Sequence, residues 1–121
     1  MNDLYDICVD GSRRPVHGEV VGNFGIRKPD PNDWYESEPT CFGAKCPHDM
    51  FEVTHLPTGA RVGMFKDVDV ARRTVAKYDE IEGIEIGTFG DGCSTVPGAF
   101  EKIAAIFNET AKAHGAAVSW L

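Results

Sequence analysis

The stretch that decides the fold is 51–65, which reads Phe-Glu-Val-Thr-His-Leu-Pro-Thr-Gly-Ala-Arg-Val-Gly-Met-Phe. Its first six residues alternate between two faces in the way typical of a half-buried strand. The Pro-Thr-Gly at 57–59 favours a chain reversal, because proline presets φ and glycine accepts a positive φ. The return strand over 60–65 would place Val62 and Met64 on one face. The stretch therefore predicts a β-hairpin.

Two amphipathic helices complete the predicted architecture. The first, at 67–82, begins where Asp67 or Asp69 can accept hydrogen bonds from backbone N–H groups, and the second spans 97–114. Their apolar residues recur at the spacing of one helix face, so both helices should pack on the sheet. The stripe of the first helix consists of Val68, Ala71, Val75 and Tyr78. That of the second consists of Phe100, Ile103, Ala104, Phe107 and Ala111.

The rest of the predicted sheet comes from shorter segments. Alternation indicates strands at 4–9, 15–21 and 24–27, which form a small antiparallel meander, and a short edge strand at 84–86. The predicted fold class is α+β, with an antiparallel sheet of four to six strands and two helices packed on one face. The apolar C-terminal residues 116–121 should tuck against this sheet or form a contact in a homodimer.

Size and charge narrow the functional classes. A chain of 121 residues with 42% hydrophobic residues predicts a single domain over 1–121. The net charge of −7 argues against direct binding of nucleic acid and favours a partner with a basic surface. No apolar run in the sequence approaches the length of a membrane span, and we expect the cytoplasm of a host cell as its location.

A long proline-rich acidic loop is predicted at 28–50. Its four prolines are incompatible with a central strand or a long helix, and a connection of this length in a small domain is typically functional. Carboxylates surround an adjacent Trp-Tyr pair, a composition typical of protein-binding hot spots. A second acidic cluster follows the first helix. The candidate partner-binding residues are Asp30, Asp33, Trp34, Tyr35, Glu36, Glu38, Asp79, Glu80, Glu82 and Glu85. The alternative is that the aromatic pair closes the core while the acids are solvated.

The segment Val-Thr-His-Leu-Pro-Thr-Gly at 53–59, leading into a Gly-x-Phe strand end and a helix, resembles a hairpin of small bacteriophage and mobile-element proteins. The motif of this resemblance is a turn, so it implies a genomic context and no catalytic residue. Together with small size and acidity, it leads us to expect a non-enzymatic inhibitor of a host defence complex, of the anti-CRISPR type. Such an inhibitor can place carboxylates where a nucleic-acid-binding surface expects phosphates.

Two alternatives come from the cysteine and histidine residues. Cys41, Cys46, His48 and His55 have the residue types of a zinc site, although their spacing is not that of two close pairs. Cys93, expected near a helix N-terminus with a lowered pKa, would be the nucleophile of a small cysteine-dependent enzyme. The leading hypothesis needs no cofactor; zinc belongs to the first alternative alone.

Overall fold

The computed structural model describes residues 3–9, 11–28, 50–114 and 117–119. In chain order the elements are β1 (Asp3–Val9), β2 (Ser12–Val21), β3 (Phe24–Arg27), β4 (Phe51–His55), β5 (Ala60–Phe65), α1 (Val68–Tyr78), β6 (Gly87–Thr88), β7 (Ser94–Thr95), α2 (Ala99–His114) and β8 (Ala117–Ser119). Within these residues, one antiparallel sheet has the strand order β1-β2-β3-β4-β5-β8, and β6 pairs with β7 separately. The predicted α+β class, with two helices and an antiparallel sheet, is confirmed.

The N-terminal meander forms as predicted. β1 pairs with β2 from Asp3 opposite Gly18 to Val9 opposite Ser12. β2 then turns into β3 at Gly22, whose φ of 59° is a conformation that side chains rarely adopt. β3 pairs with β4 across the long 28–50 connection, so the meander and the central hairpin share one sheet.

The central hairpin is confirmed, with one correction to its facing. Gly59 takes a φ of 71° at the predicted turn. The register shifts by one residue between Val53 and Thr54, so Val62 is an extra residue on β5. Such a bulge reverses the alternation beyond it. Val62 therefore packs in the core beneath the helices, whereas Met64 lies opposite Glu52, and the prediction that Val62 and Met64 share a face is wrong.

Both helices begin or end inside the predicted limits. The Asp67 carboxylate caps α1 by accepting hydrogen bonds from the N–H groups of Asp69 at 2.7 Å and Val70 at 3.3 Å. α1 ends at Tyr78 instead of residue 82, and α2 begins at Ala99 instead of residue 97. The edge strand predicted at 84–86 does not form, because the chain makes consecutive turns there.

The main core lies between the helices and one face of the sheet. Its fully or almost fully buried residues come from β3, β4, β5, α1, α2 and the turns after α1. They are Phe24, Ile26, Val53, Val62, Phe65, Val70, Ala71, Val75, Tyr78, Ile81, Ile84, Ala99, Ile103 and Phe107. The predicted apolar stripes of both helices thus supply much of this core.

The other face of the sheet is also buried, because the sheet curls. The Tyr5 ring lies so close to Gly25 that an added Cβ there would meet ring carbons at 2.5 Å. A Cβ at Gly18 would meet the same ring at 2.9 Å. The N–H of Cys8 in β1 donates to the carbonyl of Gly59 at 2.9 Å, so the first strand returns to the turn between β4 and β5.

β8 pairs with the end of β5, which confirms that the C-terminal segment lies against the sheet. Trp120 and Leu121, which suggested a homodimer contact, lie outside the described residues. Of the acidic loop predicted at 28–50, only Lys28 and Met50 are among the described residues. No helix in the described part of the chain has the length and hydrophobicity needed to cross a membrane.

Candidate functional site

The structure describes one of the two predicted acidic clusters. Asp30, Asp33, Trp34, Tyr35, Glu36 and Glu38 lie outside the described residues, so their proposed role in partner binding stays a prediction. Asp79, Glu80, Glu82 and Glu85 are described, and they follow the last residue of α1. This second cluster defines the candidate site.

Consecutive turns shape the segment after α1. The N–H of Ile81 donates to the carbonyl of Tyr78 at 3.0 Å, and the N–H of Ile84 donates to that of Ile81 at 3.2 Å. Both isoleucines are buried in the main core, with exposed fractions of 8% and 1%. Because they anchor the turns from within, the three glutamates next to them in the chain lie on the surface. These glutamates are Glu80, Glu82 and Glu85.

The side chain of Asp79, unlike those of these three glutamates, forms hydrogen bonds to other described residues. Its carboxylate accepts hydrogen bonds from the backbone N–H and the side-chain amide of Asn23, each at 3.2 Å. It fits there only because Gly22 lacks a side chain, since a Cβ on Gly22 would come within 1.8 Å of the carboxylate. Asp79 therefore fastens the turn between β2 and β3 to the end of α1. This hydrogen bonding is structural, and Asp79 lines neither of the two depressions that the three glutamates border.

The three glutamates border two adjoining depressions. A cleft of about 460 Å³ is lined by Glu82 and Glu85, and a wider groove of about 680 Å³ by Glu80 and Glu82. Glu82 and Lys102 line both, so they form one continuous surface, which we call the acidic cleft. Its remaining lining residues are Lys77, Ile81, Gly83, Ile86, Val96, Pro97, Ala99, Ala105, Ile106 and Glu109.

The carboxylates of the acidic cleft are open to a partner. Within the described residues, no lysine, arginine or histidine lies within 4.0 Å of Glu80, Glu82 or Glu85 in an ion pair. Four carboxylates and two ammonium groups line the cleft, for a formal charge of −2. Ile86 is 57% exposed at its edge. An exposed apolar side chain among unpaired carboxylates is suited to binding a basic surface with an apolar anchor point.

Sequence reasoning missed Ile86 and Glu109 as members of this surface. Ile86 was assigned to a strand, and Glu109 lies in the middle of α2, where a glutamate has no distinctive pattern. Helix periodicity places Glu109 on the exposed side of α2. Only the packing of α1 against α2 brings it to the segment after α1.

His55 is engaged inside the fold. Its Nε2–H donates to the carbonyl of Ile84 at 2.6 Å, and its Nδ1 lies 2.9 Å from the hydroxyl of Thr58. The imidazole is fully buried, and its ring contacts those of Phe24 and Phe100. His55 is therefore a hairpin residue whose ring hydrogen-bonds the turn.

The zinc alternative gains no support from this geometry. His55 could bind a metal only by giving up one of its two hydrogen bonds, and Cys41, Cys46 and His48 lie outside the described residues. Among the residues that are described, no three His, Cys, Asp or Glu side chains gather closely enough to hold a metal ion.

The state of His55 gives a pH prediction. Burial lowers the pKa of His55 below its ordinary value of 6.5, opposed by its hydrogen bond to Ile84 and by Asp79. As the pH falls below 6.5, the unfolded chain binds a proton at His55 that the folded chain does not. Stability therefore decreases with acidification in this window. We expect the thermal midpoint to fall more steeply from about pH 7 to about pH 5 in the wild type than in His55→Gln.

Calorimetry over this pH range checks the prediction. The glutamine amide of His55→Gln can donate to Ile84 without titrating, and His17→Gln is the control at an exposed histidine. Parallel curves for the wild type and His55→Gln would contradict the assignment of a neutral buried imidazole.

The surroundings of Cys93 do not activate its thiol as a catalytic nucleophile. Cys93 lies in the turn before β7, where the carbonyls of Gly90 and Thr58 are both within reach of its single S–H donor. Burial and the neighbouring Cys8 thiol raise its pKa. The lowered pKa expected at a helix N-terminus is therefore wrong, because α2 begins only at Ala99 and the surroundings of Cys93 favour the neutral thiol.

A buried polar cluster on the face away from the helices was also missed. Arg27 and Glu52, each 3% exposed, form an ion pair with Nε and Oε1 3.0 Å apart. Arg61 approaches the same carboxylate at 4.0 Å. The hydroxyls of Tyr5 and Thr54 are buried without a hydrogen-bond partner among the described residues. Alternation puts Glu52 and Thr54 on the strand face opposite Val53, and burial of that face as well was not predicted.

Burial, with a further contribution from Glu52, raises the pKa of the Tyr5 phenol, so Tyr5 stays neutral. The cluster thus combines a neutral phenol with a buried ion pair. Its members have structural roles, since they fill the curled face of the sheet. The acidic cleft is the better candidate for recognition because its charges are accessible to a partner.

The chain matches no protein-family model, no curated protein sequence and no solved structure, so the case for its function depends on its own residues.

Proposed function

We propose that this chain is a non-enzymatic binding protein whose acidic cleft recognises a basic protein surface. The observation that carries the proposal is the set of three surface carboxylates without a cationic partner among the described residues, Glu80, Glu82 and Glu85. Arginine or lysine side chains of a partner would enter the cleft and pair with these carboxylates. Ile86 would supply apolar contact at the edge.

The scaffold supports this role by fixing where the carboxylates lie. Ile81 and Ile84 anchor the segment in the core, and His55 holds the carbonyl of Ile84. A pre-ordered segment loses little conformational entropy when a partner binds, so more of the contact energy appears as affinity. The acidic cleft is therefore suited to recognition without rearrangement of the turns after α1.

The specific form that we propose is inhibition of a host defence complex of the CRISPR-Cas type by an acidic phage or mobile-element protein. A surface that binds nucleic acid is basic, so carboxylates can occupy positions that it offers to phosphates. The net charge of −7 favours such a partner over nucleic acid itself. The acidic residues at 30–38 would extend the same recognition.

Charge reversal with a matched control tests the proposal. Tagged wild type, Glu82→Lys/Glu85→Lys and Asp91→Lys/Glu101→Lys are used to capture proteins from a lysate of the host, and mass spectrometry identifies them. Both double variants change the net charge equally, and all four positions are exposed. Only the first double variant alters the acidic cleft.

We expect the wild type and the control to retain a nucleic-acid-handling or defence complex that the cleft variant loses. With the purified partner, the cleft variant should bind at least about tenfold more weakly, a difference of about 1.4 kcal/mol. Added salt should weaken wild-type binding. Capture of no such complex would refute the defence role. Equal capture of the complex by both double variants would refute the acidic cleft as the binding surface. Charge reversal of Asp33, Glu36 and Glu38 would then test the other acidic segment.

A further inference from the structure

Three turns of the molecule meet at one place. The hairpin formed by β6 and β7 lies against the turn between β1 and β2 and the turn between β4 and β5. The guanidinium of Arg13 stacks on the Phe89 ring at 4.0 Å from its centroid. The same ring lies directly against Gly59, where an added Cβ would approach it within 2.2 Å. These contacts hold the hairpin in a defined position beside β1.

Two cysteines 85 positions apart in the chain come together at this junction. The backbone N–H of Cys8 donates to the carbonyl of Gly59 at 2.9 Å, and the thiol of Cys93 lies 3.6 Å from the carbonyl of the preceding Thr58. Both cysteines thus lie against the Thr58–Gly59 peptide of the same turn, and the Cys8 thiol is near enough to raise the pKa of the Cys93 thiol. Both residues are partly exposed and both are free thiols, so a small oxidant can reach them.

We propose that Cys8 and Cys93 are a redox-active pair that forms an intramolecular disulfide between β1 and the β6–β7 hairpin. The oxidant is a small disulfide, such as oxidised glutathione. The thiolate of one cysteine attacks it, which gives a mixed disulfide and one glutathione thiolate. The second cysteine thiolate then attacks the protein sulfur of the mixed disulfide and releases a second glutathione.

The reaction balances without any further reagent. The two cysteines lose two protons and two electrons, and the single disulfide of the oxidant becomes two thiols. Because the thiolate is the reactive form and the surroundings of Cys93 raise its pKa, the exchange should accelerate as the pH rises through the slightly alkaline range. This inference does not depend on the proposed function of the acidic cleft.

Peptide mapping of the full chain tests the proposal. The protein is incubated with oxidised glutathione, remaining thiols are blocked, and trypsin is added without reductant. Cleavage after lysine and arginine places Cys8, Cys41, Cys46 and Cys93 in four separate peptides, 1–13, 28–45, 46–61 and 78–102. We expect a product that joins 1–13 to 78–102, about 2 Da lighter than the two reduced peptides because two hydrogens are lost.

Variants separate this bond from other thiol chemistry. Cys41→Ser/Cys46→Ser should still form the linked product, whereas Cys8→Ser and Cys93→Ser should instead accumulate a glutathione adduct on the remaining member of the pair. The oxidised wild type should melt about 5 °C or more above the reduced form, since the bond closes a long loop. The proposal is overturned if Cys8 and Cys93 stay open to alkylation, hold glutathione separately, or pair with Cys41 or Cys46.

Discussion

The Arg27→Met variant should lose about 3–5 kcal/mol of unfolding free energy, the loss typical of a broken buried ion pair. The substitution leaves the Glu52 carboxylate, which is 3% exposed, with only the more distant Arg61 among its cationic neighbours in the described residues. Urea unfolding followed by circular dichroism measures the loss.

Two further variants show whether the charge itself is responsible. Arg27→Met/Glu52→Met removes both charges and should recover most of the loss, because no unpaired charge remains. Arg72→Met breaks the exposed pair with Glu19 and should be much less destabilising, since water screens that pair. If Arg27→Met is as stable as Arg72→Met, the Arg27–Glu52 pair is hydrated instead of buried.

The His55→Ala variant should lose about 3–5 kcal/mol of unfolding free energy. The fully buried ring leaves a cavity between Phe24 and Phe100, and the carbonyl of Ile84 loses the donor that lies 2.6 Å away. Chemical denaturation of His55→Ala beside His55→Gln separates the two effects, because glutamine keeps a donor. If both variants unfold at the same denaturant concentration as the wild type, the hydrogen bond to Ile84 contributes nothing to stability.

The His55→Ala substitution should also affect partner binding at the acidic cleft. Ile84 lies between Glu82 and Glu85, so loss of its anchor loosens the segment that carries both carboxylates. We expect His55→Ala to weaken partner binding at a temperature where it is still folded, and His55→Gln to weaken it less. If the acidic cleft binds a partner as proposed, stability and recognition would both depend on this one buried imidazole.

The local sequence pattern was sufficient to predict the elements that bury one face in the core. The Pro-Thr-Gly turn at 57–59 and the Asp67 cap follow from short-range chemistry and form as predicted, and the helix stripes supply Ala71, Val75, Tyr78, Ile103 and Phe107 to the core. The lengths of the helices were less predictable. α1 ends at Tyr78, and the C-cap residue Asp79, whose N–H still donates to the carbonyl of Val75, uses its side chain to bind Asn23, 56 positions away.

The sequence could predict which acidic residues belong to the candidate site, but not how they are arranged. The sequence singled out the glutamates at 80, 82 and 85, and periodicity could not show that they border one cleft or that Asp79 does not join them. Both facts depend on partners from β2, β3 and α2. The buried Arg27–Glu52 pair and the approach of Cys8 and Cys93 to the same turn likewise join distant parts of the chain, which no window of sequence reveals.

The strand order bears on how the chain folds. All six strands described in the main sheet stand in the order in which they are synthesised, and β8 alone follows both helices in the chain. The β1–β2, β2–β3 and β4–β5 pairs close short loops, which carry a small entropic penalty. The β3–β4 pair closes the longer 28–50 connection, and the pairing of β5 with β8 must enclose α1 and α2. Assembly can therefore begin before synthesis is finished, and docking of the last strand would complete it once α2 has packed.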